Sequence, residues 1–245
     1  KRFAIPFTGR RIVAGNYDGT KLRILIMTQA DGHFTEDGSL RFHFSKQRKI
    51  ERCKHLLRKA EIVFTLMRRE KSTVIAIKSR DLPLWLKMFQ DKTFKSWLLN
   101  ESADTVFDEL AYWDGYKCGP NSIQYVTINE QNANLIQALA HISGRAATLI
   151  HKTREKEKWS DAYIVNIWLT PGNRNEIREK PQKVYFSGKV YCAETGTGFF
   201  LVRRQGKVWV TGNSGRLVQI HNLPKNHIDA LSIARDCVKK RKKEV

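Results

Sequence analysis

Two aspartates of this sequence sit in matching surroundings. Asp31 ends the run Ile24-Leu-Ile-Met-Thr-Gln-Ala-Asp31-Gly32, and Asp114 ends Phe107-Asp-Glu-Leu-Ala-Tyr-Trp-Asp114-Gly115. In each, an apolar helical run stops at Asp-Gly. A helix C-terminus carries partial negative charge, so an aspartate there is disfavoured by roughly a few tenths of a kcal/mol. A bound cation reverses that sign. Two such helices packed side by side would bring two carboxylates together, and like charges that close need metal between them. Hard carboxylate oxygens suit Mg²⁺. Two or more divalent ions flanking a phosphodiester are a known means of hydrolysing it, one activating water and another stabilising the leaving oxygen. A second chemistry-bearing group lies near the other end of the chain. Asn213 can attack its own backbone carbonyl through its side-chain amide, forming a succinimide and cutting before Ser214, whose hydroxyl can hold an ester and pass it to an amine.

The elements that must position these residues are legible in outline. Leu22–Asp31 reads as a short helix and Ser39–Ser45 alternates as a strand. Ile50, Cys53, Leu56 and Leu57 recur at helical spacing in a basic stretch; Ile62–Leu66 and Thr73–Ile77 read as strands, and Leu82–Phe89 and Phe94–Leu99 as helical. The order then repeats: a helix over Ala103–Trp113, a strand over Ser122–Thr127, a helix over Asn129–Ile142 with Asn129 as N-cap, and strands over Ala147–His151 and Asp161–Leu169. The two Asp-Gly pairs lie 83 residues apart. An internal repeat of that size predicts a pseudo-symmetric α+β domain over 21–170, with repeats of about 21–100 and 101–170. Residues 1–20 read as an irregular lead-in and 171–182 as a polar linker. Beyond the linker, 183–213 predicts three short strands with glycine turns, and the tail a basic helix.

The charge constrains the partner. Lys and Arg number 44 against 24 Asp and Glu, for a net +20 and a pI near 10.0. Such a balance points to a polyanion, most often nucleic acid; the plain alternative is a basic but solvated surface. No apolar run is long enough to span a membrane. The four cysteines, Cys53, Cys118, Cys192 and Cys237, are scattered without CxxC pairing, which fits a reducing cytoplasm. The first residue is Lys1, so the chain is expected to begin inside a longer product.

The two nonapeptides resemble the paired motifs of the LAGLIDADG homing endonucleases, with Ala30-Asp31-Gly32 kept in the first and Leu110 with Asp114-Gly115 in the second. The resemblance implies two αββαββ-type halves straddling double-stranded DNA, with Asp31 and Asp114 binding the catalytic Mg²⁺ ions. It places Arg41, His43, Ser45, Lys46, Arg48, Gln124 and Thr127 toward the DNA, and makes Lys46 and Lys152 candidates for the basic residues that polarise solvent. The rival is a DNA-binding module that no longer cuts.

The stretch from Gly188 to Ser214 resembles the last two conserved blocks of inteins, so 183–213 is expected to be the β-rich C-terminal piece of a Hint splicing domain. Gly212 stands where that family usually has His. Cys192, at a position commonly Asp, together with Thr211 resembles a minority class in which this internal Cys is the first nucleophile; a small buried hydrophobe is the alternative. Splicing would require an N-terminal intein fragment as partner. Ser214-Gly-Arg-Leu-Val-Gln-Ile-His-Asn-Leu-Pro resembles a segment of phage-type family A DNA polymerases, which makes 214–245 a host-protein fragment. The resemblances together imply a monomeric, phage-encoded protein acting in the cytoplasm of a bacterial host, or else a decayed intein.

Overall fold

The computed structural model of the chain describes residues 3–5, 15, 17–153, 160–170, 175–177, 185, 187–188 and 199–212. In chain order the elements are β1 (Phe3–Ile5), α1 (Gly19–Asp31), β2 (Gly32–Phe34), β3 (Leu40–Phe44), α2 (Gln47–Lys59), β4 (Thr65–Arg68), β5 (Thr73–Ile77), α3 (Leu84–Lys87), α4 (Ala103–Trp113), β6 (Gly115–Gly119), β7 (Ser122–Thr127), α5 (Glu130–Ile142), β8 (Ala147–Lys152), β9 (Ala162–Trp168), β10 (Asn175–Ile177), β11 (Phe199–Arg204) and β12 (Lys207–Gly212). Single 3-10 turns lie at Ser79–Asp81 and Ser96–Asn100. One compact unit comprises Lys1–Lys183 and Leu201–Val210; the other, Val184–Phe200 with Thr211–Val245, lies mostly outside the described residues.

The repeat expected from the two Asp-Gly pairs is present as geometry. Each half runs helix, hairpin, helix, hairpin, and each builds a four-stranded antiparallel sheet of the same order: β2-β3-β5-β4 in the first and β6-β7-β9-β8 in the second. Local chemistry sets the helix starts. Asp18 caps α1, accepting from the backbone N–H groups of Thr20 at 2.8 Å and Lys21 at 3.0 Å. Ser102 caps α4, and Asn129 caps α5 by accepting from Asn132 N–H at 3.0 Å. Leu22, Ile24, Leu25, Ile26 and Met27 are all buried, so α1 is apolar nearly all round, as a helix enclosed on every side must be. The helix α2 instead buries one stripe, Ile50, Cys53, Leu56 and Leu57.

In β3, Leu40, Phe42 and Phe44 turn into the core while Arg41 and His43 stay exposed. In β7, Ile123, Tyr125 and Thr127 face inward. The expectation that Thr127 faces DNA therefore does not hold: it has the parity of Ile123, and its hydroxyl accepts from the Asn129 N–H at 3.1 Å.

Three other expectations shift. The strand expected from Ile62 begins at Thr65. The reason is a Schellman closure of α2: Glu61 takes φ 55°, its N–H donates to Arg58 O and that of Ile62 to Leu57 O, burying Ile62 beneath the helix end. Pro83, extended, allows helix only from Leu84, so the helical segment expected from Leu82 is just α3. The linker over 171–182 contains β10, which pairs antiparallel with β1.

The helices α1, α2 and α4 meet at one buried carboxylate. Glu109 of α4 is fully enclosed and takes Arg23 Nη1 of α1 at 2.5 Å, Arg52 Nη2 of α2 at 2.6 Å and Trp113 Nε1 at 2.8 Å. Tyr112 adds a second tie, its hydroxyl donating to Arg48 O at 2.7 Å while Arg48 Nη1 donates to Tyr112 O at 3.1 Å. Removing Glu109 leaves two guanidiniums without their counter-charge. Since both are about 30% exposed, the cost falls below that of a fully buried pair. Glu109→Ala should lower the unfolding free energy by about 2 kcal/mol, and Glu109→Gln, which keeps hydrogen-bond acceptance, by visibly less; urea titration reads both.

Candidate active site at the paired helix ends

Asp31 is the last residue of α1 and Asp114 the residue that closes α4, and α1 packs on α4. Glycine follows each for a steric reason. A Cβ on Gly32 would lie 2.6 Å from Thr28 O, and one on Gly115 would lie 2.7 Å from Ala111 Cα, so the chain can turn from helix straight into strand only where there is no side chain. That turn leaves the two carboxyls beside each other at the start of β2 and β6.

The electrostatics register the closeness. The Asp114 carboxyl is held above the usual carboxylate range, first by burial and then by the negative charge of Asp31, with Lys49 and Lys92 pulling the other way. The Cys53 thiol, buried on α2, is likewise pushed up by burial and by Asp31. Lys49 Nζ donates to Asp31 Oδ2 at 2.5 Å, with only 14% of its side chain exposed, and sits 5.5 Å from the centroid of the Trp113 ring. The Lys92 ammonium is brought below its ordinary value by burial, and the charges of Asp114 and Asp31 oppose that shift.

Lys92 is presented by a strained turn at φ 54°, which the buried Asn132 side chain fastens. Its Nδ2 donates to Lys92 O at 3.2 Å and its Oδ1 accepts from Phe94 N–H at 2.7 Å. Beneath the site, the buried Tyr125 hydroxyl donates to Gln29 Oε1 at 3.1 Å.

The structure thus brings Asp31 and Asp114 together, and it places Lys49 and Lys92 beside them. Sequence reasoning missed both lysines. Lys49 is one of several cations on α2, and only the helical rotation shows that it looks inward. Lys92 comes from the connection between the repeats, where no periodicity marks it. Lys46, expected as a basic residue of the site, is exposed at the N-cap of α2; Lys152, its expected counterpart, is exposed at the end of β8. Arg41, His43 and Ser45 are exposed along and just beyond β3, and Arg48 is exposed beside Tyr112. Gln124 is half-buried and donates to Asn166 Oδ1 at 2.9 Å. Thr211 is half-buried on β12, while Cys192, Asn213 and Ser214 lie outside the described residues.

Among the described residues, no group of three or more His, Cys, Asp and Glu gathers as a protein-only metal cage. The pair fits Mg²⁺ nonetheless. That ion is usually held by one or two carboxylates, completing its octahedron with water and substrate phosphate oxygens. Burial and then the charge of Asp31 raise Asp114, and a cation held there would offset both.

No protein-family model matches the chain. The chain is 28% identical over 208 residues to the ribonucleoside-diphosphate reductase subunit beta of Aquifex aeolicus (strain VF5), a match over 78% of this chain and 30% of that relative's length. Among solved structures, it resembles I-DmoI in complex with DNA and Mn, with TM-score 0.45 and 11% identity over 62% of this chain and 90% of that one. It also resembles the N-terminal LAGLIDADG domain of DUF199/WhiA, with TM-score 0.42 and 11% identity over 61% and 74%.

The raised Asp114 fixes the sign of a stability change. A carboxyl whose folded pKa exceeds its unfolded value favours the fold fully below the unfolded value of 3.8, and that contribution is lost as pH rises through the folded value. Asp114→Asn should therefore melt a few degrees above the parent at pH 7, and the gap should close on acidification below the ordinary carboxylate range. Thermal scans from pH 3 to pH 8, roughly spanning that range, read the effect.

Proposed function

We propose that this chain is a LAGLIDADG-type homing endonuclease that cuts double-stranded DNA with Mg²⁺, carried within an intein whose C-terminal splicing residues it also holds. The observation that carries the first half is the pair Asp31 and Asp114 at adjoining helix ends, mutually repelling and flanked by two lysines. When bound between them, divalent ions supply an activated water and neutralise the oxygen that leaves the scissile phosphodiester. The chain's own residues do the rest. Asp31 and Asp114 hold the ions; Lys49, donating to Asp31, orients that carboxylate; Lys92 sets a second cation at the rim, where a phosphate oxygen gathers charge. Arg41 and His43 on the exposed face of β3 suit base edges in a major groove, and the surplus of +20 suits phosphates.

The second half rests on the sequence from Gly188 to Ser214. In this reading Asn213 cyclises and frees the segment beginning at Ser214, with Thr211 and Cys192 as assisting residue and first nucleophile. The host is a family A DNA polymerase of the phage type, read from Ser214–Pro224. The likeness to a reductase subunit favours a second reading, in which the chain is part of such a reductase. That match spans 78% of this chain but 30% of the relative. We take the shared stretch to be the inserted element, carried by two unrelated hosts.

Cleavage tests the first half. Given Mg²⁺, the chain should make double-strand cuts in DNA carrying the uninterrupted polymerase codons around Ser214-Gly215-Arg216, and leave the corresponding reductase gene intact. Asp31→Asn should lower the rate about a thousandfold or more, because several kcal/mol of charge stabilisation at the reacting phosphate are lost. DNA binding by that variant should persist, and weaken by orders of magnitude between about 50 and 200 mM salt as the parent's does. Cutting by Asp31→Asn at the parental rate would remove the site assignment.

Splicing is tested separately, with a matching N-terminal fragment supplied. Asn213→Ala should block cleavage before Ser214, because no side-chain amide remains to cyclise. Normal ligation by that variant, followed by mass spectrometry, would overturn the splicing half.

A further inference from the structure

The β11–β12 hairpin does not end in solvent. Its two-residue turn, Gln205-Gly206, has φ of 50° and 70°, the left-handed pair that a tight primed hairpin turn needs. The carbonyl of Gly206 accepts twice, from the N–H of Leu149 on β8 at 2.9 Å and from Gln137 Nε2 on α5 at 2.7 Å. Gln137 is buried, and the same nitrogen also donates to Ala147 O at 3.2 Å, so its amide bridges the second repeat and the hairpin. Arg203 Nη1 donates to Asn134 Oδ1, and Val208 is buried.

The seat is shaped for glycine. A Cβ at position 206 would lie 1.8 Å from Leu149 O and 2.8 Å from its carbonyl carbon. The strand β8 is the outer strand of its sheet, whose free backbone groups need a partner or a cover, and the hairpin tip supplies one.

We propose that the α5–β8 edge of the second repeat is the docking site of the splicing hairpin, and that it positions the splice junction for asparagine cyclisation. This rests on the splicing reading given above. The docked turn leads directly into β12, which runs to Gly212, and the next residue is Asn213. Cyclisation needs the side-chain amide held against its own carbonyl, and a fixed approach makes that attack less costly in entropy. An anchor at Gly206 holds the start of the strand that delivers Asn213. Among the described residues the tip's hydrogen bonds go to Leu149, Gln137 and Asn134, and not to Asp31 or Asp114, so docking and DNA cutting are separable.

The test uses the whole chain and two variants. Gly206→Val places a Cβ where Leu149 O sits and strains the turn; Gln137→Leu removes the side-chain donor at nearly constant volume. Hydrogen exchange should rise at least tenfold in peptides covering Leu149 and 203–208 for both variants, with α1 and α4 unchanged and DNA cleavage at the parental rate. Unchanged exchange at Leu149 in both variants overturns the docking. Release of the segment beginning at Ser214, with the matching N-terminal fragment supplied and read by mass spectrometry, should slow at least tenfold in both; faster exchange with parental release overturns the positioning role. Release that persists when Asn213→Ala is introduced, or is absent from the parent, defeats the splicing reading and the positioning role with it, while the docking is still decided by exchange.

Discussion

The packing of α1 on α4 is the constraint from which the rest follows. Both helices end in an acid, both turn into strand without a spacer, and each packs on the other. Hydrophobic burial around α1 drives this arrangement: a helix apolar on every side is stable only when enclosed. The same enclosure forces Asp31 and Asp114 into one another's field and takes Asp114 partly out of water. The fold therefore holds together a pair of charges that repel. Glu109, five residues before Asp114 on the same helix, is the counterpart: there a carboxylate is buried at no comparable strain because two arginines and an indole satisfy it. The contrast is one of compensation: Glu109 has its counter-charges within hydrogen-bond reach, whereas Asp114 is raised by burial and by the charge of Asp31.

The positive charge is spread over more than one task. Arg23 and Arg52 are bound to Glu109, Arg145 to Asp104, and Lys49 to Asp31. Arg41, His43, Lys46 and Arg48 stay exposed at β3 and the start of α2. A chain of net +20 repels itself unless something anionic joins it; of these exposed groups, Arg48 is also tied to Tyr112 O. Lys49 stands between the two sets. It is spent on Asp31, yet 14% of its side chain stays exposed.

The repeat, the central helices and most strands were legible because each is set by a local signal: periodicity for α1, α4 and β3, an N-cap for α5, and Asp-Gly for the helix ends. What was not legible depended on tertiary geometry. The strands β2 and β6 start within the Asp-Gly pair itself, too close to the helix for a change of period to show. Ile62 carries a strand former's side chain, yet the Schellman closure of α2 claims it. Thr127 and Gln124 belong to one strand, and only its parity against buried Ile123 and Tyr125 separates them. Lys49 reaches the site from α2 and Lys92 from the connection between the halves, so no linear spacing could have joined them to Asp31 and Asp114.

The pseudo-repeat also shows how its halves differ. Lys49 is the third residue of α2, and Asn132 is the third residue of α5, so they hold equivalent places. In the first half this residue delivers its own ammonium to Asp31. In the second it carries no charge; it grips the backbone at 92 and 94 and thereby presents Lys92, borrowed from the connection between the halves. Each half so brings one cation to the shared acids, one directly and one through an intermediary. Five residues along the same helix, Gln137 uses the same amide chemistry to hold Gly206. The helix α5 thus lacks the basic character of α2 and acts as a bracket, fixing the Lys92 turn near its start and the hairpin at its middle. Buried amides suit this work: each can donate and accept at once without the desolvation cost of a charge.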